Sequence, residues 1–356
     1  MTNTQVKKIR VGVIGAGIGR VHLSGYAKAA DVDIAAVCDI DEDRARRTAT
    51  EFGAPASYTD YKKMLAAGDV DAVSVCTPTA LHTDIAIDCL AAGKHVICEK
   101  PMADTLDAGQ RIVSAAESAA TRGQIFMMAM NNRFRAESIV LKTQIEAGEL
   151  GEIYFAKCGW IRRNGIPGFG GWFTTKAMSG GGPLIDIGVH VMDLAIYLMG
   201  NPKPAAVFGS SYAKFGPRGL GGGPWGAPPS GEKKFDVEDL ATGLIKFDNG
   251  ATLFLEASWA SHIKAEKMYL TLMGAEGGAD LEPLAIYKEM HGTPVDILPE
   301  PSGAPGGHEA EILHFIDCIR RKRQPLATAE QGLHILQIID GIYRSAESGH
   351  EVVIGK

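Results

Sequence analysis

Over its first 130 residues the chain alternates short apolar runs with longer segments of helical period, and that alternation narrows the possible folds sharply. The runs at 9–14, 33–38, 71–76, 95–98 and 125–130 are rich in Val, Ile, Ala, Cys and Met. Between them, 18–30, 41–51, 80–92 and 105–119 carry apolar residues at helical spacing. Apolar runs without an inward–outward alternation are strands buried on both faces, so the pattern predicts a parallel sheet covered by helices on each side. Crossovers of this length are right-handed. Residues 1–130 are therefore expected to form a doubly wound α/β domain.

The first turn of that domain carries its chemistry. Strand 9–14 runs into Gly15-Ala16-Gly17-Ile18-Gly19-Arg20 and then into a helical segment. Glycine is needed there when a pyrophosphate must come close to the backbone and to the helix N-terminus, as in a Rossmann domain. The spacing is one residue short of G-x-G-x-x-G, because the third glycine arrives at Gly19 and position 20 is Arg20. A tight strand–helix turn without a ligand uses the same residues, so context decides. Asp39 closes the second strand about twenty residues on, where a carboxylate accepts hydrogen bonds from the adenosine ribose of a dinucleotide. Its charge repels a 2′-phosphate, which favours NAD over NADP. Arg44, Arg46 and Arg47 follow in the next helix and read either as softening this preference or, the favoured reading, as a solvated face.

Composition removes several other classes. Hydrophobic residues make up 46% of the 356-residue chain and the net charge is −6, which excludes an intrinsically disordered chain. With 36 basic against 42 acidic residues there is no global positive field to attract a nucleic acid. The apolar run at 9–14 is too short for a signal-peptide core, and no uncharged apolar stretch of ~18 residues is present to cross a membrane. The six cysteines form no C-x-x-C pair and no disulfide-framework spacing. They read as reduced, buried thiols in a cytoplasmic protein without structural zinc.

From about residue 150 the pattern changes to long alternating strands, among them Ile153–Arg162, Ala206–Lys214, Asp239–Phe247 and Ala251–Trp259. Asp248-Asn249-Gly250 joins the last two as a hairpin. Residues 131–356 are thus expected to form an α+β domain with a large, predominantly antiparallel open sheet. Glycine is in excess, with 43 residues where ~7% of a chain is ordinary. Twenty of them lie between Gly148 and Gly231, around the expected substrate side. The run at 216–231 reads either as a disordered loop or as a lid or oligomer contact anchored by Trp225.

Two further places concentrate chemistry. Lys100 stands at the carboxyl end of a parallel strand, the edge where ligands bind in open α/β sheets, and Pro101 ends the strand there because it cannot donate to a ladder. In 183–199 an apolar helix is interrupted by Asp186, His190 and Asp193, whose offsets of four and seven share one helical face. Such a stripe fits a catalytic site, a buried salt-bridge cluster, or a metal shared by Asp and His four apart. No third and fourth ligand at suitable spacing accompanies it, so no metal is expected. Trp172 reads as a stacking platform for a ligand ring or as core. His308 reads as a cap-region residue at the start of HEAEILHF.

Three segments join the glycine turn in a recognisable order: Thr77-Pro78 with His82 in CTPTALHTDIA, Glu99-Lys100-Pro101 in KHVICEKPM, and GGGPLIDIGVHVMDLAIYLMG at 180–200. Together they resemble the Gfo/Idh/MocA family, the glucose–fructose oxidoreductase and inositol dehydrogenase group, over nearly the whole chain. The resemblance implies an NAD(P)-dependent oxidoreductase acting on a secondary hydroxyl of a sugar, sugar derivative or cyclitol, and assembly as a homodimer or homotetramer. It implies catalytic roles for Lys100, Asp186 and His190, with His190 as general base and Lys100 stabilising the alkoxide. It places the cofactor against Gly15, Gly17, Ile18, Gly19, Arg20, Asp39, Thr77, Pro78, His82, Glu99, Lys100 and Asn131. It places the substrate against Lys100, Asn132, Arg163, Trp172, Asp186, His190 and Asp193. Two other readings stay open at this point. One is a redox-neutral enzyme that keeps its NAD and cleaves or epimerises through a transient ketone. The other is a non-catalytic NAD-responsive regulator.

Overall fold

A computed structural model of the chain describes residues 7–224, 234–301, 303 and 306–355. The elements run β1 (Ile9–Ile14), α1 (Gly19–Tyr26), β2 (Val32–Cys38), α2 (Glu42–Phe52), β3 (Ala56–Tyr58) and α3 (Tyr61–Ala67). They continue with β4 (Ala72–Val75), α4 (His82–Ala91), β5 (His95–Glu99), α5 (Leu106–Ala120), β6 (Phe126–Ala129) and α6 (Ala136–Glu146). Next come β7 (Ile153–Ile161), α7 (Lys176–Ser179), a π-helical turn (Leu184–Gly188), α8 (Val189–Leu198), β8 (Pro204–Tyr212) and β9 (Leu240–Phe247). The chain ends with β10 (Thr252–Ser258), β11 (Lys267–Gly274), β12 (Gly278–Leu281), β13 (Leu284–Met290), β14 (Thr293–Ile297), α9 (His308–Arg321), α10 (Ala329–Ser348) and β15 (Val352–Val353).

The chain divides into two compact units. The first holds a six-stranded parallel sheet in the order β3-β2-β1-β4-β5-β6. That is the doubly wound arrangement, with its switch point between β1 and β4. Val11, Val13, Val73, Val75, Val96 and Ile97 are fully buried, and each contributes roughly 1.5–3 kcal/mol of hydrophobic stabilisation. The short β3 and α3 were not expected, because three strand residues and seven helical ones are too few to show a period. Residues 306–332 also belong to this unit, although the antiparallel pattern before them suggested the second. The reason is local packing: α9 lies on α1, where a Cβ at Gly25 would stand 2.9 Å from the Ile312 side chain.

The second unit holds a nine-stranded sheet in the order β14-β13-β12-β11-β7-β10-β9-β8-β15. Every pair is antiparallel except β7 with β10. The hairpin between β9 and β10 forms as its residues require: Gly250 has φ +87°, and Asn249 Oδ1 accepts the Ala251 N–H at 3.1 Å. On one face Val207, Ile245, Leu253, Leu255 and Leu272 are buried. The other face presents Phe208 opposite Leu244, Leu244 opposite Phe254, and Phe254 opposite Lys157. The run Lys176–Leu198 is long and apolar enough to cross a bilayer, but it is mostly buried within the protein. Trp225, the expected anchor of the 216–231 loop, lies outside the described residues.

Candidate active site

In the first unit the site begins with the glycine turn. Gly15 has φ +94°, donates its N–H to the Cys38 carbonyl at 2.8 Å, and leaves no room for a Cβ, which would stand 2.4 Å from Cys76 O. Gly17 is exposed and a Cβ there would meet nothing within 4 Å, so its backbone is open to approach. At Gly19 a Cβ would stand 2.6 Å from the Val13 side chain. Tight turn, close ligand approach and helix–strand contact are the three duties of a dinucleotide-binding glycine trio. The shortened spacing preserves them, because α1 begins at Gly19 itself. Ile18 precedes it and caps no N–H with its side chain, while the Arg20 and Val21 N–H groups turn back onto the carbonyls of Gly17 and Ile18 at 3.3 and 2.8 Å. A dinucleotide pyrophosphate fits this cradle.

The side chains around the turn behave differently from expectation in two places. Arg20, expected at the cofactor, turns its side chain to α2. It is held on α2 by Glu51 at 2.6 Å and lies over the Phe52 ring. Arg44 is exposed but not idle, because its guanidinium forks onto Asp39, Nε to Oδ2 at 2.9 Å and Nη2 to Oδ1 at 2.6 Å. Asp39 also accepts the N–H groups of Ala16 and Asp41 at 2.8 and 2.9 Å. Burial alone would raise the Asp39 pKa, but Arg44 and the two backbone donors bring it below the ordinary carboxylate value.

At the carboxyl end of β5 the E-K-P segment is braced from beneath. Glu99 is buried, accepts the Lys100 N–H at 3.1 Å and meets His22 Nε2 at 3.0 Å. His22 Nδ1 in turn meets Ser74 Oγ at 3.1 Å, and Ser74 meets the buried Tyr26 hydroxyl at 2.8 Å. Burial pushes the Glu99 pKa up, yet the His22 hydrogen bond and the charges of His22, Lys100 and His308 bring it down to about 2. The expected cofactor contacts Glu99 and His82 thus spend their side chains inside the protein. His82 is buried with its two ring nitrogens 2.8 Å from the carbonyls of Thr77 and Pro101, so it ties the Thr77-Pro78 loop to the E-K-P loop. Asn131 meets His308 Nε2 at 3.2 Å. His308 is therefore more than a cap. Burial lowers its pKa, with Glu99 raising it and Lys100 lowering it. Its meeting with Asn131 was illegible in sequence, because the two stand 177 positions apart.

In the second unit the expected catalytic helix opens as the π-helical turn Leu184–Gly188 and continues as α8. The buried Glu238 caps it, accepting from Gly182 and Leu184 N–H at 2.9 and 3.1 Å and from the Tyr343 hydroxyl at 3.0 Å. A Cβ at Gly181 would stand 2.0 Å from Tyr343 Oη, and one at Gly182 would stand 2.1 Å from Glu238 O. These glycines admit that cap rather than leave room for a substrate. Gly216 against Phe235 and Gly223 against Gly165 likewise serve close packing within the unit.

Asp186 and His190 are half-buried, in an aromatic setting. Trp259, fully buried, donates its indole N–H to Asp186 Oδ2 at 3.0 Å. The Trp160 ring lies 6.2 Å from the His190 ring at an interplanar angle of 53°. Arg162 is buried over Trp160, 4.7 Å from the ring centre, and donates to Glu266 at 3.3 Å. Burial lowers the Arg162 pKa, while Asp186 and Glu266 raise it. Trp160 and Trp259 are not singled out by sequence, where they read as ordinary strand residues. Two expected substrate contacts have partners within the protein. Arg163 is exposed, with its guanidinium on the Lys264 carbonyl at 3.1 Å. Asp193 is only 1% exposed, and both its oxygens are taken by the equally buried Arg133, at 2.8 and 2.6 Å. It belongs to the salt-bridge alternative. Trp172 stacks on Phe173 with ring centres 3.8 Å apart, and Asn132 sits in the 3-10 turn Asn131–Phe134. Among the described residues no group of three or more His, Cys, Asp or Glu is placed to hold a metal ion.

Comparison with known proteins gives the same outline. The model of an oxidoreductase family with an NAD-binding Rossmann fold matches residues 9–128, and the C-terminal alpha/beta domain of the same family matches 142–354. The chain is 35% identical over 349 residues to the D-glucoside 3-dehydrogenase of Escherichia coli (strain K12), covering 97% of each chain. It is 29% identical to the levoglucosan dehydrogenase of Pseudarthrobacter phenanthrenivorans, over 76% of this chain and 73% of that one. A solved levoglucosan dehydrogenase in complex with NADH superposes with a TM-score of 0.84 at 25% identity, over 98% of this chain and all of the other. With both of its domains matched in order, the chain belongs to the Gfo/Idh/MocA oxidoreductase family.

Proposed function

We propose that this protein is an NAD(P)-dependent dehydrogenase that oxidises a secondary hydroxyl of a sugar, sugar derivative or cyclitol, with NAD the favoured acceptor. The observation that carries the reading is the glycine turn, whose three glycines keep the three duties of a dinucleotide cradle. A bound nicotinamide supplies the hydride acceptor. The protein's own residues supply the proton chemistry and the positioning. His190 takes the hydroxyl proton, a task suited to imidazole near neutral pH. Lys100, fixed through its backbone by Glu99, supplies positive charge for the developing alkoxide. Asp186 is aimed by Trp259 and serves to orient His190 or a substrate hydroxyl. The D-glucoside 3-dehydrogenase relative makes glucosides the first substrates to test.

The apolar ladder Phe208–Leu244–Phe254 on the open sheet face supports assembly as a homodimer or homotetramer. The six free, buried thiols support a cytoplasmic location. The test is a screen of glucosides, free sugars, polyols and inositols for NADH fluorescence. NADH accumulation with at least one class is expected. Confirmed NAD binding with no NADH from any of them would overturn the dehydrogenase reading in favour of redox-neutral chemistry on retained NAD.

A further inference from the structure

The carboxylate at the end of β2 does not stand alone as the acceptor that selects NAD. Asp39 Oδ1 takes the Asp41 N–H and Arg44 Nη2, and Oδ2 takes the Ala16 N–H and Arg44 Nε. Four donors occupy the four lone-pair sites of an ionised carboxylate. The Asp39 side chain is 5% exposed and that of Arg44 44%, so the group that meets solvent here is the guanidinium. Two of its five N–H groups are spent on Asp39, and Nη1 lies 3.6 Å from Asp41 Oδ2 as a looser ion pair. The neighbouring Ile40 is 89% exposed, an apolar surface beside the pair. A carboxylate excludes NADP by repelling its 2′-phosphate, whereas an arginine accommodates that phosphate. Here the repelling charge is neutralised by the very residue type that accepts it.

We propose that Arg44 is the cofactor-selectivity residue: by neutralising Asp39 and supplying the counter-charge for a 2′-phosphate, it lets this protein bind NADP as well as NAD. The preference for NAD that Asp39 provides is then small. The inference rests on the dinucleotide reading of the glycine turn, and its test separates the two.

The test is calorimetric titration of the full-length protein with NADH and NADPH, and with ADP-ribose as a probe that lacks the nicotinamide. Wild type, Arg44→Ala and Asp39→Asn are compared. Arg44→Ala leaves Asp39 its two backbone donors, so the turn is retained, and a thermal melt checks that it is. Wild-type affinities for NADH and NADPH are expected within about tenfold of each other. Arg44→Ala should weaken NADPH by about 10–100-fold, the loss of a charge-assisted fork on a phosphate, and NADH by no more than about threefold. Asp39→Asn should weaken NADH relative to NADPH. NADPH binding about a thousandfold weaker than NADH in wild type, or an Arg44→Ala effect equal for both, overturns the role of Arg44 while the dinucleotide site stands. Failure of all three ligands to bind would overturn the reading of the turn and the inference with it.

Discussion

Replacing Asp193 by asparagine separates the two jobs that position could have. The side chain is 1% exposed and its two oxygens hold Arg133, itself 2% exposed, at 2.8 and 2.6 Å. Removing one partner of such a buried pair strands the other charge and costs roughly 3–5 kcal/mol. The asparagine oxygen still accepts one of the two guanidinium bonds, and the Arg133 guanidinium keeps the Tyr197 ring at 4.8 Å. The lower end therefore applies, about 3 kcal/mol for Asp193→Asn and about 5 for Asp193→Ala, which also leaves a cavity. With an m-value of about 2–3 kcal/mol/M, the asparagine variant should lose about 1–1.5 M from its urea midpoint. The double variant Arg133→Met, Asp193→Leu removes both charges and should recover most of that loss. Urea unfolding followed by circular dichroism reads stability, and steady-state kinetics well below the transition read function. The specificity constant kcat/KM of the asparagine variant should stay within about threefold of wild type. An unchanged midpoint with kcat/KM lowered about 100-fold would make Asp193 a substrate contact and refute the pairing argument.

Other consequences are equally open to measurement. His190→Ala and Lys100→Ala should each lower kcat by about 10²–10⁴-fold while NADH binding survives, and wild-type turnover in either would remove that residue from the chemistry. Glu99, with its pKa brought down to about 2 from 4.5, contributes stability that is present above pH ~4.5 and lost as pH falls toward 2. The amount is on the order of 3 kcal/mol, and Glu99→Gln should flatten this part of a stability–pH profile. Gly19→Ala forces a Cβ to 2.6 Å from Val13 and should cost about 1–3 kcal/mol of stability. Gly17→Ala meets nothing and should leave the melting temperature unchanged while weakening dinucleotide binding in a titration. Leu244→Lys, in the centre of the Phe208–Leu244–Phe254 ladder, should shift the mass measured by light scattering toward the monomer.

Much of the architecture was legible because the relevant physics acts between neighbours in sequence. A strand buried on both faces shows as a short apolar run, and a left-handed turn residue shows as a glycine, as at Gly15 and Gly250. The glycine turn was legible in the same way, although its compressed spacing needed coordinates to show that Gly19 packs on Val13 as a third glycine does. The short β3 and α3 had too few residues for a period. The return of residues 306–332 to the first unit had no local signal at all, since it rests on long-range packing such as Ile312 against Gly25.

The candidate site divides along the same line. Residue order alone already placed Lys100 after the last residue of β5, Asp186 and His190 on one helical run, and Asp39 beyond β2, because each depends on local register. Which charge meets which partner required the folded chain. Arg133 and Asp193 are 60 residues apart, Trp259 and Asp186 are 73 apart, and Asn131 and His308 are 177 apart. A carboxylate on a helical stripe looks the same in sequence whether it faces a ligand or a buried arginine. Electrostatic pairing acts over a few ångströms in space, and a chain read in one dimension carries no measure of that distance.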